Sequence, residues 1–359
     1  MNGIAKNLKR IRLLKNLSLK DAGNLLGMTA TAVSKYEKGE IIADSKKLID
    51  FANAYNVKTI DLLKNYNLPT MKFTSFRKKK RLTGQNLELL EELIQNEVAK
   101  YLEIIEMNNI DSNNAKLKKY ICNQLEDAEN AANDFRNYIK ISHKQPISDL
   151  INILENLGII IIQIKNQDNR FNDFDGLSEI VNNIPVIVLL DNIKDGARQR
   201  FTIAHELGHL VLSIKENNLN KIDEEKLCNR FASALLMPRE AVINEFGTSR
   251  CNIKFFELTA FKNEFKVSYA AIVYRLKDLN IISEYLYKNL SIFISQRIGK
   301  NDPNPIQPEI SYQFKRIVCK LEANEIISLN KACELLGVTV NEYNNEVNSY
   351  WHKHYNRLK

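Results

Sequence analysis

Apolar positions recur at helical spacing through residues 4–66, interrupted by turn residues at Asn16, Gly27, Gly39 and Asp44. That pattern predicts four or five short helices in one compact module. Periodicity fades over 67–74, around Pro69, and the basic run FRKKKRL follows at 76–82, which places a linker there. From 87 to 138 the pattern is long, amphipathic and helical, with IDSNN at 110–114 as its break. Pro146 suits the first turn of a further helix ending near Gly158. The texture changes at IIIIQI (159–164), GLSEIV (176–181) and PVIVLL (185–190), which are short, β-branched and turn-bounded. They read as three strands of one small sheet, with Asp191 and Asn192 closing the last. From Gly196 helix is expected to the end. The fold class expected is mainly α with a small β-sheet (α+β), divided into 1–66, a linker and connector over 67–124, a central domain over 125–285, and a helical packing or oligomerisation region over 286–359.

A chain of 359 residues exceeds one ordinary core and predicts two or three domains. With 44% hydrophobic and 26% charged residues it matches neither a disordered nor a fibrous composition. No apolar stretch is long enough to span a membrane, and the N-terminus interleaves Lys and Arg with Leu and Ile. A cytoplasmic protein without a membrane partner is therefore expected. The net charge of +8 is uneven: residues 1–66 carry 12 Lys/Arg against 6 Asp/Glu, and Lys72 with the run 77–81 adds six more positive charges. A basic front on an acidic body suggests a phosphate-backbone partner. Five widely spaced cysteines with no CxxC pair read as reduced thiols, neither a disulfide framework nor a cysteine zinc site.

Within LSLKDAGNLLGMTATAVSKYEKG (17–39), Ser18 can cap one helix, Gly27 can take the left-handed conformation of a tight turn, and Thr29 can cap the next. The result is a helix-turn-helix. Its second helix turns Val33 and Tyr36 inward, leaving a DNA-facing set of Lys20, Thr29, Ala30, Thr31, Ser34, Lys35 and Lys38 for a major groove. These residues resemble the phage-repressor (Cro/C1, XRE-type) helix-turn-helix family across residues 4–66. The resemblance implies a buried structural pair, Arg12 with Glu37, bracing the first and third helices. Leu19 departs from the Gln that the family often uses to hold a phosphate. Operator DNA is the partner expected, read as paired half-sites by a homodimer. A helical dimerisation module without DNA binding is the alternative.

Residues 198–212, RQRFTIAHELGHLVL, contain an HExxH pattern at His205, Glu206 and His209. At i and i+4 on a helix, both imidazoles can reach one metal ion with Glu206 beside them. Gly208 removes a side chain where another element could approach. Zinc needs a third protein ligand, and EEKLCNRFASALLMP (224–238) offers Glu225, with Asn229 on the same face to orient a histidine. Glu224 competes for the third position, with Asp223 and Glu216 behind. This stretch resembles the ImmA/IrrE family of zinc endopeptidases over about residues 125–285, including AENAANDFRNYIKI, PISDLINILENLGIII and VSYAAIVYRLKDLNII, with Cys228 where Ala is usual. The resemblance implies a gluzincin-like core with Zn2+ as cofactor. It also implies that the substrate is often a helix-turn-helix repressor, cleaved to release transcription. Family position offers Tyr269, Tyr274 and Arg275 to stabilise an oxyanion, although such residues on an amphipathic helix are usually structural.

The expected mechanism has Glu206 take a proton from a metal-activated water and return it to the leaving amine. The strand at 176–181 could dock a substrate peptide edge to edge. The C-terminal ISLNKACELLGVTVNEYNNEV (327–347) repeats a helix, glycine turn, helix pattern without basic side chains on its second helix, and reads as packing or oligomerisation. His352 and His354 in WHKH form a weaker metal candidate. Together these readings describe a DNA-binding regulator carrying a zinc endopeptidase that cleaves a repressor protein, in trans or itself. The alternative is a repressor or antitoxin-like regulator whose zincin domain is a sensor or interaction module without proteolysis.

Overall fold

The computed structural model describes residues 3–64, 71, 84–108, 117–166, 170–172, 174–191, 195–214, 224–297, 302 and 304–345. The chain forms two compact units, one of Met1–Lys100 with Asn166–Phe174 and one of Tyr101–Lys165 with Asp175–Lys359. Among the described residues it is mainly helical with two small sheets. The linker around Pro69, the FRKKKRL run, the IDSNN break, Asn192, Glu216, Asp223, His352 and His354 lie outside the described residues.

The first unit opens with five helices: α1 (Gly3–Leu14), α2 (Leu19–Leu26), α3 (Ala30–Lys38), α4 (Ser45–Ala54) and α5 (Thr59–Leu63). The local signals act as their chemistry dictates. Ser18 and Asp21 form a capping box at the start of α2, and Gly27 ends that helix at φ 62°. Thr29 caps α3 through the Ala32 N–H at 3.2 Å. Gly23 is equally required, because a Cβ there would lie 2.6 Å from the Met28 carbonyl oxygen and the tight turn would not close. Leu8, Ile11, Ala22, Val33, Phe51 and Leu62 form the core. Val33 is fully buried, whereas Tyr36 is only half-buried, with its ring edge-on to Phe51. Arg12 donates to both Glu37 oxygens, at 2.6 and 2.9 Å, and to the Leu17 carbonyl at 2.8 Å. Both side chains of this pair are buried, so α1 and α3 are joined by a charge-assisted fork in the interior. A long helix, α6 (Gln85–Met107), follows.

The second unit begins with the end of α6. Next come β1 (Tyr120–Cys122), α7 (Leu125–Tyr138), α8 (Leu150–Asn156), β2 (Ile160–Ile164), β3 (Leu177–Val181), β4 (Ile184–Leu190) and α9 (Gly196–Val211). The three strands expected at 159–190 form one sheet in the order β2-β4-β3, with β4 parallel to β2 and antiparallel to β3. β4 is buried along its whole length, as a central strand covered on both faces should be. Three expectations are corrected. β1 interrupts the helical stretch to 138, and β5 (Leu212–Ile214) interrupts the helix expected from Gly196; the two pair in parallel as a separate sheet. Pro146 does not open a helix, because α8 starts at Leu150 under an Asp149 cap.

Beyond β5 come α10 (Glu224–Leu236), α11 (Arg239–Phe246), α12 (Phe255–Phe265), α13 (Tyr269–Asp278), α14 (Glu284–Arg297), α15 (Gln313–Ala323) and α16 (Leu329–Leu336). The core joins Phe135, Leu154, Ile187, Leu207, Phe231 and Phe261. At its centre α9 and α10 meet at Gly208, where a Cβ would lie 3.2 Å from the Cys228 Cα. Glycine permits the backbones to approach this closely. The C-terminal stretch repeats the cap chemistry of α2. Ser328 caps α16, Gly337 ends it at φ 65°, and Thr339 forms a reciprocal cap with Glu342 at 2.7 and 3.2 Å. No helix among the described residues is long and apolar enough to cross a membrane.

Two substitutions test this packing. Glu37→Ala strands the buried Arg12 charge and is expected to cost about 3 kcal/mol, read by denaturant unfolding of the full chain followed by circular dichroism. Gly208→Val forces α9 and α10 apart and is expected to cost about 2 kcal/mol in the same measurement.

Candidate metal centre

Helix α9 starts under Asp195, whose carboxylate accepts from the Ala197 and Arg198 N–H groups at 2.9 and 3.3 Å. Its apolar face, including Ile203, Ala204 and Leu207, is fully buried. The opposite side carries His205, Glu206 and His209 at helical spacing. Helix α10, held close by Gly208, presents Glu225 and Asn229 one turn apart. The two histidines and Glu225 converge: their ligating atoms all lie within 4.8 Å of one another. His205 Nε2 is 3.2 Å from His209 Nε2 and 3.1 Å from Glu225 Oε2, and His209 Nε2 is 3.6 Å from Glu225 Oε1.

The flanking contacts fix which nitrogen faces the cluster. His205 Nδ1 lies 2.9 Å from Asn229 Oδ1, and His209 Nδ1 lies 3.0 Å from Glu224 Oε1. A carboxylate and a carbonyl oxygen can only accept, so each Nδ1 donates and each Nε2 turns its lone pair inward. Two lone pairs and a carboxylate at these separations repel unless something positive lies among them. Burial opposes charging His209, but Cys228, Glu224 and Glu225 together push its pKa up to about 12. The donor set, two imidazole nitrogens and one carboxylate, suits zinc, and its environment favours a cation. Glu225 serves in the cluster, while Glu224 sits on the outer nitrogen of His209. The imidazoles are 11% and 14% exposed and Glu225 45%, so the cluster opens to solvent on the Glu225 side.

Glu206 lies apart from that cluster, buried at 3% exposure. Its Oε2 accepts from the Ser178 hydroxyl at 2.7 Å, which ties α9 to β3. Gly176, two residues earlier, leaves room for this carboxylate, since a Cβ there would lie 3.2 Å from Glu206 Cγ and 2.9 Å from Thr202 Cγ2. Sequence reasoning missed Ser178, which stands beside Glu179 as one of two polar residues in the strand.

The three residues offered for an oxyanion have other employment. Arg275 is fully buried, pairs with both oxygens of Glu129, and donates to the Met237 carbonyl at 3.0 Å. Burial disfavours the Glu129 anion, but the hydrogen bonds and charge of Arg275 outweigh it and lower its pKa. The Tyr269 hydroxyl lies 3.1 Å from Thr259 Oγ1, and its ring stacks on Phe255. Tyr274 is half exposed, edge-on to Tyr287.

On the first unit, the residues expected to face DNA occupy α2, α3 and the turn between them. Lys20, Thr29, Thr31, Lys35 and Lys38 are exposed, while Ala30 and Ser34 are half-buried. Leu19 packs against the core.

Comparison with known proteins accords with both units. Residues 8–62 match the family described as helix-turn-helix, and residues 154–277 match the IrrE N-terminal-like domain. The radiation response metalloprotease IrrE of Deinococcus radiodurans is 39% identical over 70 residues, a match covering 16% of this chain and 21% of that protein. The chain thus spans about a fifth of that relative's length. A solved structure of Bacillus thuringiensis PlcR with the peptide PapR7 and DNA covers 99% of this chain and 98% of its own, at 13% identity and a TM-score of 0.16. Residues 8–62 are thus similar to helix-turn-helix domains, and residues 154–277 to the IrrE N-terminal-like domain.

Proposed function

We propose that this protein is a DNA-binding transcriptional regulator whose second unit is a zinc endopeptidase, hydrolysing a peptide bond in a repressor protein, in trans or in itself, to relieve repression. The observation that carries this reading is the convergence of His205, His209 and Glu225 on one point beside a buried Glu206. Zinc held by these three residues supplies Lewis acidity, which lowers the pKa of water and polarises a peptide carbonyl. Asn229 and Glu224 orient the two imidazoles through their outer nitrogens. Glu206 is the general base, taking a proton from water and passing it to the departing amine. Ser178 holds the Glu206 carboxylate in place for both transfers.

Substrate recognition follows from the sheet. β3 stands at an edge in the order β2-β4-β3, and its Ser178 touches Glu206, so a peptide added along β3 would run past the proposed base. A helix-turn-helix repressor is the proposed substrate. The first unit binds operator DNA through Lys20, Thr29, Ala30, Thr31, Ser34, Lys35 and Lys38, as a homodimer on paired half-sites. A cytoplasmic location belongs to the same proposal.

Glu206→Gln is expected to retain zinc and DNA binding while hydrolysis falls by about a hundredfold or more. The assay incubates zinc-loaded protein with helix-turn-helix repressors encoded beside it and identifies fragments by mass spectrometry. Relief of repression that survives Glu206→Gln would instead make the second unit a non-proteolytic sensor. For the first unit, Lys35→Ala is expected to weaken binding to generic duplex DNA and to reduce the salt slope by about one, read by fluorescence anisotropy across a salt series.

A further inference from the structure

Between α14 and α15 the chain passes Asp302 and residues 304–312 without forming helix or strand, yet this strap is pinned along its length. The buried Lys262 ammonium donates to the Asn304 carbonyl and lies 3.2 Å from Asp302. The Gly196 N–H donates to the Ile306 carbonyl at 2.9 Å, and any side chain at Gly196 would collide with the Gln307 carbonyl. Glu309 sits at the centre. Its N–H donates to Gln199 Oε1 at 2.7 Å, and its carbonyl accepts from Gln199 Nε2 at 2.9 Å and Gln163 Nε2 at 3.2 Å. Its carboxylate pairs with the fully buried Arg200 guanidinium and accepts from the Ile151 N–H at 2.9 Å.

Gly196, Gln199 and Arg200 all belong to the start of α9, the helix that carries His205, Glu206 and His209. Gln199 precedes Glu206 by seven residues, two turns along the same face. The apolar contacts of α9 are non-directional and tolerate a small slide or rotation of the helix. The strap's hydrogen bonds and ion pair are directional and do not. A metal site needs its ligands held to within about 0.5 Å, so a restraint of this second kind matters to the imidazoles.

We infer that Glu309 is a positioning residue for the metal centre, locking the first turn of α9 so that His205 and His209 face Glu225. This rests on the zinc reading above. The strap is anchored beyond Glu309 as well: Ser311 Oγ donates to Glu155 Oε1 at 2.5 Å, and Gln313 Nε2 donates to the Glu155 carbonyl at 3.1 Å. The strap leading into α15 is therefore held at both ends as well as at Glu309.

The test uses the full chain, with zinc affinity read by competition against a chromogenic chelator and ligand geometry read from the visible bands of the cobalt-substituted protein. Glu309→Ala is expected to weaken zinc binding about tenfold and to shift the cobalt bands. Because that change strands the Arg200 charge and could unfold the unit, two further variants carry the same test. Glu309→Gln keeps an acceptor for the Ile151 N–H. The paired Arg200→Met and Glu309→Met change removes both charges together. Phe246→Leu, a core change against Phe261 chosen for comparable loss of stability, is expected to leave zinc affinity within about twofold of wild type. Unchanged affinity and cobalt bands in all the Glu309 variants overturn the inference and leave the zinc reading standing. An equal loss in Phe246→Leu overturns it too, and a wild-type chain that does not bind zinc overturns both.

Discussion

The close approach of α9 and α10 at Gly208 and Cys228 is the constraint on which the second unit is organised. Each helix brings an i, i+4 pair, His205 with His209 and Glu225 with Asn229, and these meet only because no side chain separates the backbones there. The position of α10 is fixed from its far end. Buried Arg136 donates to the Leu235 carbonyl at 2.5 Å, and buried Arg275 to the Met237 carbonyl at 3.0 Å, so two guanidinium groups hold the end of the helix whose first turn carries Glu225 and the residue just past it. Arg136 has carbonyls as its partners, and burial lowers its pKa to about 10. Arg275 also pairs with the Glu129 carboxylate. A buried cation that loses its partners is costly, so these anchors resist displacement more strongly than apolar packing alone would.

The same helix then faces two different electrostatic environments one residue apart. His205 and His209 look toward carboxylates and a carbonyl, a cluster of acceptors that calls for positive charge. Glu206, about 100° round the helix from His205, is buried against β3, where it meets a hydroxyl donor. Helical geometry forces this split, because adjacent residues point about 100° apart. One helix can therefore hold a cation on one side and a base beside it without the base itself joining the cluster.

Much of this was legible in the chain, and the legible parts share a physical character. Ser18, Gly27 and Thr29 act on backbone groups within a few residues, so their roles in α2 and α3 could be read directly. The i, i+4 spacing of His205 with His209 and of Glu225 with Asn229 is likewise local. What escaped was non-local. β1 and β5 are three residues each and pair across the unit, Tyr120 opposite Leu212, without enough length to show a period of two. Pro146 fitted a helix start, but Asp149 supplied the cap and the helix begins after it. Glu309 had no periodicity to betray it, since its partners Ile151, Gln163, Gln199 and Arg200 lie more than a hundred residues earlier. Ser178 looked like one polar residue in a strand, and only tertiary contact with Glu206 gives it meaning.

On the proposed reading, joining the two domains in one chain has a consequence that neither has alone. A free peptidase would meet an operator-bound repressor at the rate of ordinary bimolecular encounter. A peptidase tethered to a DNA-reading module meets a neighbouring DNA-bound protein at an effective concentration set by the tether, reaching the millimolar range for short linkers. Selectivity then need not come wholly from the peptide groove. A modest preference along β3, multiplied by co-localisation on DNA, discriminates one repressor from many others of the same fold, and it does so without a tight protein–protein interface. The basic first unit, with exposed Lys20, Lys35 and Lys38, would thus contribute to substrate choice as well as to operator binding.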